Sequence, residues 1–164
     1  MYNNPRIDGF TTNPTLMRRA GIVDYISFAK DILKEIPDKP ISFEVFADEF
    51  NEMERQALEI ADWGKNVYVK IPVMNTKQQS SYDLVRKLSH KEVQLNITAI
   101  MTIEQVKSVV EAVKGGSPCF VSVFAGRIAD TGIDPVPLMQ KALEILKESP
   151  NAELLWASPR EVLN

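Results

Sequence analysis

The chain has 164 residues, with 19 lysines and arginines against 22 aspartates and glutamates, and its formal charge is −3. This length predicts one domain, residues 1–164, with enough apolar sequence to bury a core without disulfides. The acidic balance argues against a nucleic-acid partner, the lone cysteine, Cys119, fits a reducing cytosol, and no apolar run is long enough to span a membrane.

Short apolar runs alternate along the chain with amphipathic stretches. The runs predict six strands, at residues 7–10, 41–46, 67–71, 95–100, 120–124 and 154–157. Predicted helices begin after the cap Asp24, cover 49–63 and 80–89, and follow Thr102 and Asp134. The buried stripe predicted for the last helix is Leu138, Met139, Ala142, Leu143 and Leu146. This alternation indicates βαβ units and therefore a parallel sheet.

Two architectures fit this pattern, an open doubly wound sheet and a (β/α)₈ barrel. Eight βα units usually take about 250 residues, so six strands in 164 residues favour the open sheet on length alone. The strand chemistry favours the barrel, because polar residues recur at the C-terminal ends of nearly all strands rather than at one switch point. These residues are Asn13, Glu44, Lys70, Asn96, Thr98, Ser122 and Ser158. The sequence also contains no dinucleotide-binding glycine motif and no P-loop.

Lys70 lies inside the apolar run 67–72. One interpretation is an edge-strand lysine whose ammonium reaches solvent. The other is catalytic, because apolar flanks desolvate the ammonium and favour the neutral amine, which can attack a carbonyl and form a Schiff base. Glu44 in the preceding strand favours catalysis, since a carboxylate beside an imine can hold water and move protons. A purely structural ion pair between Glu44 and Lys70 is the alternative.

Arg127 follows the fifth predicted strand, and Ser158 and Arg160 follow the sixth. Ser158 and Glu161 form a capping-box pattern, which predicts the start of a helix. A helix N-terminus together with two guanidinium groups is suited to a phosphate. Exposed salt bridges are the alternative interpretation for both arginines.

Six short segments carry these polar residues in a fixed order, at 9–16, 43–45, 69–72, 95–98, 122–128 and 157–160. Each segment has low specificity alone, but together they resemble the transaldolase family over nearly the whole chain. The resemblance implies an α/β fold of the (β/α)₈ TIM-barrel type. This chain would supply an incomplete barrel of about six parallel strands, corresponding to strands two to seven.

The resemblance implies transfer of a dihydroxyacetone unit between sugar phosphates through a lysine Schiff base, as a cytoplasmic step of the pentose phosphate pathway. The reaction would convert sedoheptulose 7-phosphate and glyceraldehyde 3-phosphate to erythrose 4-phosphate and fructose 6-phosphate. Lys70 would form the imine, and Glu44 and Thr98 would hold the catalytic water. The implied substrate-binding residues are Asn13, Asn96 and Ser122 at the hydroxyls, Phe124 beside them, and Arg127, Ser158 and Arg160 at the phosphate. No cofactor or metal is implied, and a lone histidine, His90, excludes a multi-histidine centre.

Two alternatives to a transaldolase stay open. Fructose-6-phosphate aldolases, close relatives in the family, tend to carry Gln where Glu44 stands and Tyr where Phe124 stands, so both positions here resemble transaldolases. A lyase that releases free dihydroxyacetone is the first alternative. An inactive fragment that still binds sugar phosphates is the second.

The sequence departs from the family at both ends. Family members carry an aspartate, a general acid/base, on a first barrel strand that precedes the matched region. Asp8 does not correspond to that aspartate, because it lies at the first strand of this chain, which is the second strand of the full barrel. The last strand and the C-terminal helices that follow a segment like 157–164 are also missing. Because an incomplete barrel exposes two strand edges, we expect the isolated chain to be catalytically impaired, marginally stable or prone to form homo-oligomers.

Overall fold

The structure is a computed structural model that describes residues 2–159. Within these residues six strands alternate with seven helices. The strands are β1 (Phe10–Thr11), β2 (Ile41–Glu44), β3 (Val67–Pro72), β4 (Leu95–Ile100), β5 (Cys119–Val123) and β6 (Ala152–Trp156). The helices are α1 (Pro14–Arg19), α2 (Tyr25–Glu35), α3 (Phe50–Ala61), α4 (Tyr82–Ser89), α5 (Ile103–Val113), α6 (Ala125–Asp130) and α7 (Val136–Leu146).

The six strands are all parallel and pair in chain order, so that β1 and β6 form the two edges of the sheet. Strands two positions apart lie about 9.5 Å apart in a flat sheet. Here the amide of Asn96 on β4 reaches the hydroxyl of Ser42 on β2, and the rings of Tyr68 on β3 and Phe120 on β5 lie 4.4 Å apart. The sheet is therefore curled into a half-barrel, which confirms the prediction of an incomplete barrel of the TIM type.

The two faces of the curled sheet differ because successive side chains on a strand point to opposite faces. Apolar residues such as Phe43, Val69 and Ile97 are fully buried in the core shared with the helices. The alternate positions on the inner face are largely polar. Strand register places Lys70 directly beside Glu44 on one side and Asn96 on the other.

The first strand is shorter than predicted and lies further along the chain. The sequence predicted a strand at 7–10, whereas β1 covers only Phe10 and Thr11. Pro40, the residue before β2, has no N–H to donate, so the pairing begins with the bond from Phe10 N to Pro40 O at 2.8 Å. This shift places residues 12 and 13 at the carboxyl end of the sheet.

The helices confirm most of the predicted pattern. Asp24 caps α2, and Thr102 caps α5 with the predicted box. The buried stripe of α7 is narrower than predicted, because α7 packs mainly on α5 and on the edge strand β6 and leaves Leu143 55% exposed. No helix within residues 2–159 is long and apolar enough to cross a lipid bilayer.

Candidate active site

Lys70 lies on the inner face of β3 and contacts two oxygen atoms. Its Nζ lies 3.3 Å from Glu44 Oε2 on the neighbouring strand and 3.5 Å from the backbone oxygen of Thr12. The side chains of Lys70 and Glu44 are 14% and 26% exposed, so the ion pair is largely removed from bulk water. The ammonium is therefore held at a defined point by a carboxylate and a carbonyl.

A cavity of about 640 Å³ lies in front of Lys70 on the inner face of the half-barrel. Its walls come from the carboxyl ends of β1, β3, β4, β5 and β6 and from α1. The predicted site residues that line it are Asn13, Lys70, Asn96, Thr98, Ser122, Phe124 and Ser158. Glu44 does not line this cavity and meets Lys70 from the side.

A chain of hydrogen bonds fixes Asn96 at the floor of this cavity. Asn96 Nδ2 donates to Ser42 Oγ at 2.9 Å, and Ser122 Oγ donates to Asn96 Oδ1 at 2.7 Å. All three residues are buried. Because each end of the amide has a partner, its orientation is determined, and one Nδ2 hydrogen is still able to meet a ligand.

Thr98 lies two residues beyond Asn96 on the same strand and is 3% exposed. Its hydroxyl is buried and has no hydrogen-bond partner among the protein atoms that the structure describes. A buried hydroxyl without a partner costs about 1–3 kcal/mol. Thr98 therefore suits a water molecule or substrate oxygen bound on the inner face.

Asn13 and Ser158 lie on opposite walls of the cavity. Asn13 caps α1 by accepting a hydrogen bond from Leu16 N at 3.1 Å, which occupies its side-chain oxygen and not its amide hydrogens. Ser158 follows β6 with a φ of 57°, in the left-handed region that is uncommon for residues other than glycine. Such strain clusters at functional sites.

The two arginines predicted to bind phosphate are not seen together. Arg127 lies on α6, where it is exposed, and its Nη1 is 3.8 Å from Asp130 Oδ2. It does not line the cavity in front of Lys70. Arg160 lies outside the described residues.

Two residues near Lys70 did not emerge from the sequence. Ser42 alternates with Glu44 on β2, so the period of two residues was a signal for its inward position. Tyr25, the first residue of α2, accepts a hydrogen bond from Glu44 N at 2.8 Å. No sequence spacing indicates that contact, because it depends on how α2 packs over the end of β2.

Within residues 2–159, no three histidine, cysteine, aspartate or glutamate side chains come together in a way that would hold a metal ion. The cavity offers the amine of Lys70, the amides of Asn13 and Asn96 and several hydroxyls, and Glu44 places a carboxylate beside that amine. These groups lie at the carboxyl ends of parallel strands, where barrel enzymes carry their active sites. The fold and the site therefore define an incomplete barrel of the TIM type with a lysine and a carboxylate paired on its inner face.

Comparison with known proteins identifies the family. The model of the transaldolase/fructose-6-phosphate aldolase family matches residues 1–164. A protein named probable transaldolase from Dehalococcoides mccartyi is 37% identical over 142 residues, which are 87% of this chain and 62% of that protein. The chain belongs to the transaldolase/fructose-6-phosphate aldolase family, as the resemblance implied.

Two further relatives carry the same name, probable transaldolase. The one from Streptococcus agalactiae is 37% identical over 140 residues, which are 85% of this chain and 60% of that protein. The one from Clostridium kluyveri is 35% identical over 158 residues, which are 94% of this chain and 67% of that protein. The chain thus spans about 60% of the length of the first two relatives.

Proposed function

We propose that this chain carries the imine-forming site of a transaldolase and transfers a dihydroxyacetone unit between sugar phosphates in the cytoplasmic pentose phosphate pathway. The observation that carries the proposal is the position of Lys70, whose amine faces the cavity and lies 3.3 Å from Glu44 Oε2. Family membership and the names of the relatives support the same chemistry.

The proposed reaction begins when the ammonium of Lys70 gives a proton to Glu44 and the neutral amine attacks the ketone of a sugar phosphate. Glu44 returns that proton to the hydroxyl of the carbinolamine, which leaves as water, and a protonated imine forms. The imine then accepts the electron pair of the bond between the α- and β-carbons as that bond breaks, the β-hydroxyl gives its proton to Glu44 through a water molecule, and an aldose phosphate leaves. The three-carbon unit stays on Lys70 as an enamine until an acceptor aldehyde takes it up and water hydrolyses the new imine.

The other predicted residues have roles that agree with their surroundings. Asn96 and Ser122 are fixed by their mutual hydrogen bond and would meet the hydroxyls of the bound unit, together with the amide hydrogens of Asn13. The hydroxyl of Thr98, which has no partner among the described protein atoms, would together with Glu44 hold the water that leaves as the imine forms and that later hydrolyses it. Phe124 would pack against the sugar.

The phosphate contact is the second part of the proposal. Ser158 lines the cavity and would bind the phosphate together with Arg160. Arg127 would join them by exchanging its exposed Asp130 contact for the phosphate, since an exposed ion pair contributes only about 0–1 kcal/mol.

Reductive trapping tests the imine directly. The purified chain is mixed with fructose 6-phosphate and sodium borohydride, which reduces an imine to a stable secondary amine, and the adduct is located by peptide mass spectrometry. We expect one adduct, on Lys70. An adduct on other lysines only, or none, would overturn the proposal.

Adding an acceptor aldehyde distinguishes a transferase from the lyase alternative. The family description and the relatives' names do not decide between these two activities. With fructose 6-phosphate as donor and erythrose 4-phosphate as acceptor, we expect sedoheptulose 7-phosphate and glyceraldehyde 3-phosphate to form, and fructose 6-phosphate to be consumed only when the acceptor is present. Release of free dihydroxyacetone without acceptor would favour the lyase. An adduct without any turnover would support an imine site whose later steps are impaired.

Thr98→Val should separate stability from chemistry. The Thr98 hydroxyl makes no protein hydrogen bond that the variant would lose, so the free energy of unfolding should change by less than about 1 kcal/mol, while loss of the water contact should slow trapping about a hundredfold. Urea unfolding and trapping rates measure the two effects. Thr131→Val is the control, because the Thr131 hydroxyl donates to Ile128 O at 2.6 Å, so this variant should lose stability and keep the trapping rate. A lower free energy of unfolding for Thr98→Val together with a normal trapping rate would contradict the assignment.

A further inference from the structure

The hydroxyl of Tyr25 lies where the pairing of β1 and β2 ends. It accepts a hydrogen bond from Glu44 N at 2.8 Å and lies 3.1 Å from Thr12 Oγ1. The Thr12 hydroxyl donates its one proton to Ser42 O at 2.9 Å. Tyr25 therefore donates its own proton to Thr12 Oγ1, so its hydroxyl acts as donor and acceptor at once.

This contact replaces a bond of the β ladder. Phe10 N donates to Pro40 O, and Thr12 N donates to Ser42 O. In a regular parallel ladder the next bond would return from Glu44 N to Thr12 O. Glu44 N donates to Tyr25 instead, and the Thr12 carbonyl oxygen lies 3.5 Å from Lys70 Nζ.

We propose that Tyr25 is a positioning residue for Lys70, because its hydroxyl takes the Glu44 N–H, stops the β1–β2 pairing and so leaves the Thr12 carbonyl to hold the lysine amine. The same hydrogen bond fixes the backbone of Glu44, whose carboxylate is the other partner of Lys70. This inference rests on the proposed imine chemistry of Lys70. Tyr25 itself does not line the cavity and acts through Thr12 and Glu44.

The ring of Tyr25 is held by packing and not by its hydroxyl. It lies edge-on to Phe46 at 4.8 Å between ring centres and to Phe43 at 6.1 Å, with Trp63 on a third side at 6.1 Å. Burial is the main reason that the pKa of the Tyr25 phenol is raised above its ordinary value, so the group keeps its proton at neutral pH. Tyr25→Phe should therefore keep the ring in place and remove only the hydroxyl.

The kinetic test uses borohydride trapping of the full chain with increasing fructose 6-phosphate. In Tyr25→Phe the amine of Lys70 loses its fixed orientation, so we expect the maximal trapping rate to fall about tenfold. The half-saturating sugar concentration should stay within about twofold, because Asn96 and Ser122 are untouched. Tyr82→Phe, which changes a tyrosine on α4, is the matched control and should leave both quantities unchanged.

A second measurement does not depend on the sugar reaction. Through-hydrogen-bond scalar coupling between Glu44 ¹⁵N and Thr12 ¹³C′ reports directly whether the ladder continues past Tyr25. We expect this coupling in Tyr25→Phe, where Glu44 N–H turns to the Thr12 carbonyl, and not in the wild type or Tyr82→Phe.

The outcomes separate this inference from the proposed function. A coupling in the wild type, or none in Tyr25→Phe, overturns it. An unchanged maximal trapping rate in Tyr25→Phe, with the wild type forming its adduct, also overturns it. If the wild type forms no adduct, the proposed imine chemistry fails and with it the kinetic role of Tyr25, while the coupling still decides whether its hydroxyl ends the ladder.

Discussion

Lys70→Met should abolish reductive trapping with fructose 6-phosphate while leaving a folded chain. The methionine side chain follows the apolar stem of the lysine but has no amine, so no imine can form on β3 and the loss should exceed about a thousandfold. The free energy of unfolding should fall by about 1–3 kcal/mol, between the values for exposed and for buried ion pairs, since the substitution leaves Glu44, which is 26% exposed, without its partner. Trapping rates, peptide mapping and urea unfolding measure these effects.

Two variants sharpen this expectation. Lys34→Met removes an exposed ammonium that pairs with Asp31 on α2, and it should trap sugar like the wild type. Glu44→Gln keeps a polar side chain beside Lys70 but cannot accept its proton, so we expect the adduct to form on Lys70 about a hundredfold more slowly. Full trapping in Lys70→Met would move the reaction to another lysine and end the assignment.

The polar residues on the inner face were predictable because their cause is local. Strand alternation with a period of two residues places Lys70, Asn96 and Ser122 on one face, and parallel pairing in chain order brings their strands side by side. The sequence pattern thus predicts a parallel sheet with polar residues at the carboxyl ends of its strands, while the incomplete barrel is what the family resemblance implies. The sequence also contains the signal for α1, since Asn13 followed by a proline is a helix start, although no helix is predicted there.

The contacts that sequence could not predict join distant elements. Tyr25 reaches Glu44 only because α2 packs its first turn over the end of β2 among aromatic rings. The separation of Arg127 from the cavity has a similar origin. A short helix, α6, follows β5 directly, and it holds this arginine near Asp130. Such placements depend on helix packing, which spacing along the chain does not encode.

Gly126→Ala should be the most destabilising of these substitutions, because the backbone that follows β6 lies against this glycine of α6. A methyl group at Gly126 would stand 1.7 Å from the backbone oxygen of Ser158 and 2.8 Å from its carbonyl carbon. Rigid backbone cannot yield as a flexible side chain does, so either α6 or the segment after β6 must move, at a cost of about 3 kcal/mol or more. Because Ser158 lines the cavity in front of Lys70, the half-saturating sugar concentration for trapping should also rise.

Gly115→Ala is the control, since Gly115 has a φ of 72° and no atom within 4 Å of the added methyl. It should lose only about 1 kcal/mol from backbone strain and trap sugar normally. Equal unfolding midpoints for the two variants would show that the segment after β6 does not lie in contact with α6 in solution.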